Sequence, residues 1–295
     1  EKFKNLAGDR VPSVAKEKDY KNILKKLFLL QDRRLKKAAV LLFGKNPQKY
    51  YPNAFLKIGK FLTEADILTS DIIEGNLFNQ LENAIEILRT KYLISRIYFE
   101  GIYRKEKLEY PEEALREAII NAVIHRDYLG TSAIQIRVYN DRLVVMNEGK
   151  LPPEVPIEKL KKEHLSKPRN VLLANTFYKA GLIESWGRGT IKIVENCIKQ
   201  GLPEPDFIEE YGVMKVVFYK DKFTEDYLKK IGVNDRQIKA VMYVKGKRKI
   251  TNREYQKEFS VSRQTATRDL TELVEKKLFK LQGTGKRDIC YVLIA

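Results

Sequence analysis

Cysteine and histidine are nearly absent from these 295 residues: Cys197, Cys290, His125 and His164 are the whole supply, and all are far apart in sequence. No paired Cys or Cys/His spacing can be built from them, so neither a zinc site nor a disulfide framework is expected. Long apolar runs are missing as well. No stretch reaches the roughly 20 residues that cross a bilayer, and no charged-then-apolar leader opens the chain. A soluble, cytoplasmic protein with no membrane partner is expected. The chain opens on Glu1 rather than Met, which points to sequence upstream.

What the chain has in excess is positive charge, +17 in all. Residues 1–110 carry a basic surplus of eight, residues 111–220 of one, and residues 221–295 of eight. A near-neutral middle between two basic flanks suggests a polyanion met by the flanks, nucleic acid being the commonest. A lysine-rich solvated surface is the plain alternative for the first flank. With 43% apolar and 10% aromatic residues, the length supports two or three domains with cores of their own.

One stretch organises the rest: Pro111 to His125, PEEALREAIINAVIH, followed by Arg126-Asp127-Tyr128. Proline suits the first helical position, and the two glutamates behind it complement the positive end of the dipole. Ala114, Leu115, Ala118, Ile119, Ala122 and Val123 recur at the steps of a buried face, while Glu113, Glu117, Asn121 and His125 recur every four residues on another line. A merely solvated stripe would alternate Glu with Lys or Arg. Here Asn, about 0.6 kcal/mol worse than Ala inside a helix, stands between Glu and His, and that composition suggests chemistry. For His125 and Asp127, a helix end held by local hydrogen bonds is as good a reading as a ligand role.

Along the flanks, Ala38–Phe43 reads as a buried strand ended by Gly44, and Ala54–Leu62 as a second strand. Leu77–Leu93 reads as a helix and Ile97–Tyr110 as a hairpin. Beyond Tyr128, Ile134–Val138 and Leu143–Met146 form a hairpin about Asn140-Asp141, and Val171–Lys179 a helix. Trp186-Gly187-Arg188-Gly189-Thr190 then opens a helix to Lys199. Free N–H groups and the dipole make such a start an anion cradle, although an ordinary tight turn has the same signature. Phe207–Glu210 and Val213–Tyr219 pair about Tyr211-Gly212.

From Asn234 the grammar changes to three helices and a hairpin. Thr251-Asn252-Arg253-Glu254 is a capping box, and Ser262 caps a helix with Arg263, Gln264, Thr265 and Arg268 facing outward. Two strands flank a basic turn with Lys286 and Arg287; its Gly-Thr-Gly-Lys lacks the spacing of a Walker loop. This order resembles a winged helix-turn-helix, whose second helix enters the DNA major groove while the wing lies on phosphates. Ser262, Arg263, Gln264, Thr265, Arg268, Lys286 and Arg287 are the candidate DNA contacts. A winged helix used only for protein contacts is the alternative.

Ala39–Gln48 (AVLLFGKNPQ), Ala114–Tyr128, Asn147-Glu148-Gly149, Arg169-Asn170 and Gly181–Gly189 together resemble transcriptional regulators with a RecG-carboxy-terminal-like ATP-binding domain. That domain is similar to the GHKL, or Bergerat-fold, ATPases of gyrases, MutL and histidine kinases. Family members usually begin with a Schlafen-type, AlbA-like domain, which is not among these residues. The resemblance implies that Glu117 is the acid that polarises water toward a γ-phosphate and that Asn121 binds Mg2+. It implies that Asn147 and Gly149 stand where an Asp-x-Gly reads adenine, and that Gly187, Arg188, Gly189 and Thr190 form the phosphate lid. Asn147 replaces the family's aspartate, and Leu151 stands where a further glycine is expected.

The expected fold is therefore α+β: a GHKL-like mixed or antiparallel sheet with helices on one face, plus a carboxy-terminal winged helix-turn-helix. The expected domains are a basic α/β scaffold over 1–110, the nucleotide-binding domain over 111–220 and the DNA-binding domain over 221–295. The leading expectation is a dimeric regulator of double-stranded DNA that couples ATP and Mg2+ occupancy to DNA binding. A regulator with a degenerate, non-binding GHKL-like scaffold is the second. A weak Mg-dependent ATPase acting on DNA is the third, and without motor motifs it is no helicase.

Overall fold

The structure is a computed structural model that describes residues 2–8, 10–184, 186–283 and 289–294. The chain divides into two compact units, Glu1–Lys220 and Asp221–Ala295. In the first, short helices α1 (Lys2–Leu6), α2 (Pro12–Ala15) and α3 (Tyr20–Lys26) and the two-residue strands β1 (Leu30–Gln31) and β2 (Arg34–Leu35) precede α4 (Lys37–Phe43). Then come β3 (Leu56–Phe61), β4 (Ile67–Ile73), α5 (Leu77–Ile87), β5 (Ser95–Glu100), β6 (Tyr103–Leu108) and α6 (Glu112–His125). The unit closes with β7 (Ile134–Val138), β8 (Arg142–Glu148), α7 (Val171–Lys179), α8 (Gly189–Lys199), β9 (Asp206–Glu210) and β10 (Val213–Tyr219).

Ala38–Phe43 is helical, not a strand. Six apolar residues in a row fit a buried helix as well as a buried strand, and Ala-Ala-Val-Leu-Leu-Phe has one β-branched residue among strong helix formers. Pro111 is the N-cap of α6 rather than its first residue, a one-position difference.

Six strands form one mixed sheet in the order β4-β3-β7-β8-β10-β9, with β3 and β7 parallel and the other neighbours antiparallel. Alternation decides what each face holds. Leu56, Ile58, Ile134, Ile136, Val138, Leu143, Val145, Val216 and Phe218 join one core with α5, α6, α7 and α8. Phe61, Tyr139, Val144, Val217 and Tyr219 are buried outside that core. Residues 1–110 and 111–220 are not separate bodies, since Phe3, Leu42 and Leu81 share the core with Leu115, Ile119 and Phe177. The buried face of α6, from Ala114 through Ile124, lies at its centre, which fixes where the polar stripe of the same helix points.

The second unit holds α9 (Glu225–Lys230), α10 (Asp235–Lys247), α11 (Asn252–Phe259), α12 (Arg263–Glu275) and the hairpin of β11 (Phe279–Gln282) and β12 (Cys290–Leu293). Ile250 bridges Tyr291 beside that hairpin. Its own core gathers Leu228, Ile238, Val241, Val244, Ile250, Tyr255, Ala266, Leu270, Leu273 and Phe279. Capping boxes start both α10 (Asn234 with Gln237) and α11 (Thr251 with Glu254). Each cap satisfies N–H groups that the helix itself leaves unpaired.

Candidate functional site

The cavity of the first unit opens beside α6, with a volume of about 130 Å³. Glu117, Asn121 and His125 line it along the α6 stripe; Asn147 and Gly149 enter from the end of β8, and Gly187, Gly189 and Thr190 from the loop that opens α8. Residues from three separate places in the sequence thus converge. Leu151, Pro152, Val155, Leu160, Phe207, Met214 and Val216 supply an apolar floor. Arg188 is the N-cap residue of α8, exposed and outside the lining.

The glycine loop lies close against its surroundings at both glycines, Gly187 on the His164 carbonyl and Gly189 on Glu117. A Cβ at Gly189 would collide with the Glu117 carboxylate and lie 3.4 Å from Asn121 Nδ2. Only glycine lets this backbone lie on both side chains. Burial raises the Glu117 carboxyl above the ordinary glutamate value, with Arg116 and Lys192 pulling the other way. A carboxyl held that way is a stronger base when ionised. The Thr190 hydroxyl, in the first turn of α8, is buried with no hydrogen-bond partner among the described residues.

At the other end of the cavity, Asn147 is buried and its Nδ2 donates to Glu148 O at 3.1 Å, leaving Oδ1 as an acceptor. Gly149 has φ 141°, and a Cβ there would stand 2.6 Å from His125 O. His125 is pushed down to about 4, chiefly by burial and then by Arg169 and His164, so its imidazole is neutral at pH 7. Asp127 is spoken for locally. Its Oδ1 accepts from Leu129 N at 2.9 Å and its Oδ2 lies 3.5 Å from Arg169 Nη1.

Two further residues, without a role legible from sequence, hold this corner. Asn170 donates from Nδ2 to Ile124 O (2.7 Å) and Arg126 O (2.8 Å), capping the carboxyl end of α6. Arg126 is 2% exposed, with Nη2 donating to Asn53 O at 2.6 Å and its guanidinium 5.0 Å from the centre of the Tyr128 ring. The Arg169-Asn170 pair was a visible signal for the first; the Arg126 partner lies 73 residues away, where no local pattern reaches.

In the second unit, Ser262, Arg263, Gln264 and Arg268 are exposed on or beside α12 and Thr265 is half-buried. Ser262 Oγ accepts from Thr265 N at 3.2 Å, so the serine is a helix cap as well as a candidate contact. Asp269, on the inner side, accepts from Arg236 Nε (2.7 Å) and Tyr255 OH (3.0 Å), tying α12 to α10 and α11. Lys286 and Arg287 lie outside the described residues.

Residues 131–218 match a family model described as "Putative ATP-dependent DNA helicase recG C-terminal". The middle of the chain is similar to this ATPase-like family. The RecG-like match spans β7 to β10 with Asn147, Gly149 and the glycine loop; α6, with Glu117 and Asn121, precedes it. The crystal structure of the DIP2311 protein from Corynebacterium diphtheriae is similar over 99% of this chain, with a TM-score of 0.59 and 19% identity. The chain spans 61% of that protein's chain, and the likeness is one of fold. No curated protein matches the chain. Among the described residues, no helix is long and apolar enough to cross a membrane.

Proposed function

We propose that this chain is a cytoplasmic DNA-binding transcriptional regulator whose RecG-like, GHKL-type domain takes Mg-ATP and whose carboxy-terminal unit is a winged helix-turn-helix reading double-stranded DNA. The Thr190 hydroxyl carries the nucleotide half. A buried hydroxyl without a partner among the described residues is costly, and this one stands at the positive end of α8, in the cavity lining it shares with Glu117 and Asn121. A phosphate oxygen there would satisfy the hydroxyl and the free N–H groups together.

In this reading Asn121 offers its side-chain oxygen to Mg2+, and Glu117 orients a water by accepting its proton. Bound Mg2+ would offset the phosphate charge, most of its oxygen ligands being phosphates and waters. Asn147 Oδ1 accepts from an exocyclic amino group, because its Nδ2 is held by Glu148 O. The cavity, about 130 Å³, lies below the roughly 300–1,000 Å³ of small-molecule sites. Nucleotide access therefore requires the glycine loop to lift off Glu117, and Arg188, now in solvent, comes over the phosphates as it recloses. The same small volume is the specific support for the second reading, a closed scaffold that binds no nucleotide.

For the DNA half, the outward row Ser262, Arg263, Gln264 and Arg268 supplies groove and phosphate contacts, with the basic charge of residues 221–295 behind it. Gel retardation of labelled duplex DNA by the full chain tests the coupling. Mg-ATP is expected to change the affinity by about fivefold or more, the usual scale of coupling between sites, and superimposable titrations reject it.

A further inference from the structure

Strands β5 and β6 form a two-stranded sheet of their own, apart from the six-stranded one. A lone hairpin is marginal in water unless something covers one of its faces. Its hydrogen bonds to the body lie at its base, where Gln200 Nε2 donates to Leu108 O at 2.7 Å. From Arg96 to Lys107 every residue is exposed.

The register sorts the side chains into two unlike faces, because directly opposed residues share a side. Arg96 faces Lys107, Tyr98 faces Lys105 and Glu100 faces Tyr103, so one side is basic. On the other side Ile97 faces Glu106 and Phe99 faces Arg104. Ile97 is 56% and Phe99 69% exposed, and Arg104 Nη2 donates to Glu106 Oε1 at 2.7 Å. This second side is apolar along one strand and charge-balanced along the other.

We propose that this side of the β5–β6 ribbon is the homodimer interface, seated on the same side of a second copy of the chain. Two chains that each carry a net charge of +17 repel one another, and a charge-balanced apolar side is one where they can approach. A two-fold interface must be self-complementary. This one is: Ile97 and Phe99 meet their own counterparts, and Arg104 of each copy reaches Glu106 of the other. The basic side sets Arg96, Lys105 and Lys107 against one carboxylate, Glu100, so it carries a net positive charge that disfavours pairing with its own copy.

Sedimentation velocity of the full chain, from about 1 to 100 μM, tests this independently of nucleotide or DNA binding. A dimer is expected, and the Ile97→Lys/Phe99→Lys variant is expected to raise its dissociation constant at least about a hundredfold, as loss of central apolar anchors does. Neither side chain touches the core, and circular dichroism confirms that the variant folds. Arg104→Glu alone should weaken the dimer and Arg104→Glu/Glu106→Arg restore it, whereas Tyr98→Ala on the basic side should leave it unchanged. A chain monomeric throughout that range overturns the proposal. So does a dimer that the Ile97→Lys/Phe99→Lys variant leaves intact.

Discussion

At the residue scale Glu117 is decisive, a carboxyl whose charge is disfavoured by burial yet which lines the cavity. Glu117→Gln should lower any Mg-dependent phosphate release by about 10²–10⁴-fold, the usual loss with a general base, while retaining nucleotide binding; a phosphate-release assay beside calorimetry checks both. The same variant has a signature in stability. Because folding raises this pKa, the native state binds the proton more tightly, so stability falls as pH rises from the unfolded value toward the folded one. Glutamine has no such dependence. The variant should melt higher than the parent at pH 7 to 8, with the gap closing toward pH 4, as thermal melts across pH would read. His125 works the other way: held down to about 4, it costs stability as pH falls below the ordinary imidazole value, in parent and variant alike.

At the element scale, the decisive contact is the start of α8 lying on α6. Gly189→Ala should disfavour the closed contact, because the new Cβ overlaps the Glu117 carboxylate, and should lower the melting temperature of the nucleotide-free chain. Gly246→Ala in α10 is the matched control. A Cβ there meets nothing within 4 Å, so the change should stabilise by about 0.5–1 kcal/mol, and chemical denaturation of both variants separates the two effects. Elements set by local chemistry were legible in the sequence. The Thr251–Glu254 capping box, the Ser262 cap, the hairpin β7–β8 and the polar stripe of α6 all follow from spacing and side-chain type. Ala38–Phe43 was misread because a short apolar run has no period to measure. Arg126 and its Asn53 partner were illegible because that hydrogen bond depends on how β3 is brought to the end of α6.

At the scale of the whole molecule, charge and architecture divide the work. The near-neutral middle holds the cavity, and the two basic flanks hold the β5–β6 ribbon and the α12 row. Glu117, Asn121, Asn147, Gly149, Gly187, Gly189 and Thr190 could be chosen from sequence because each stood in a recognisable motif, and the fold brings all seven to one cavity. The closed state of that cavity could not be read, because the resting place of the loop on Glu117 is a matter of packing. The central claim is that this cavity is a nucleotide site that opens. Isothermal titration calorimetry of the full chain with ATP, with and without Mg2+, tests it most directly. A saturable one-site isotherm that strengthens with Mg2+ and is lost in Asn121→Ala is predicted; a flat titration of the folded wild-type chain in both conditions would contradict it.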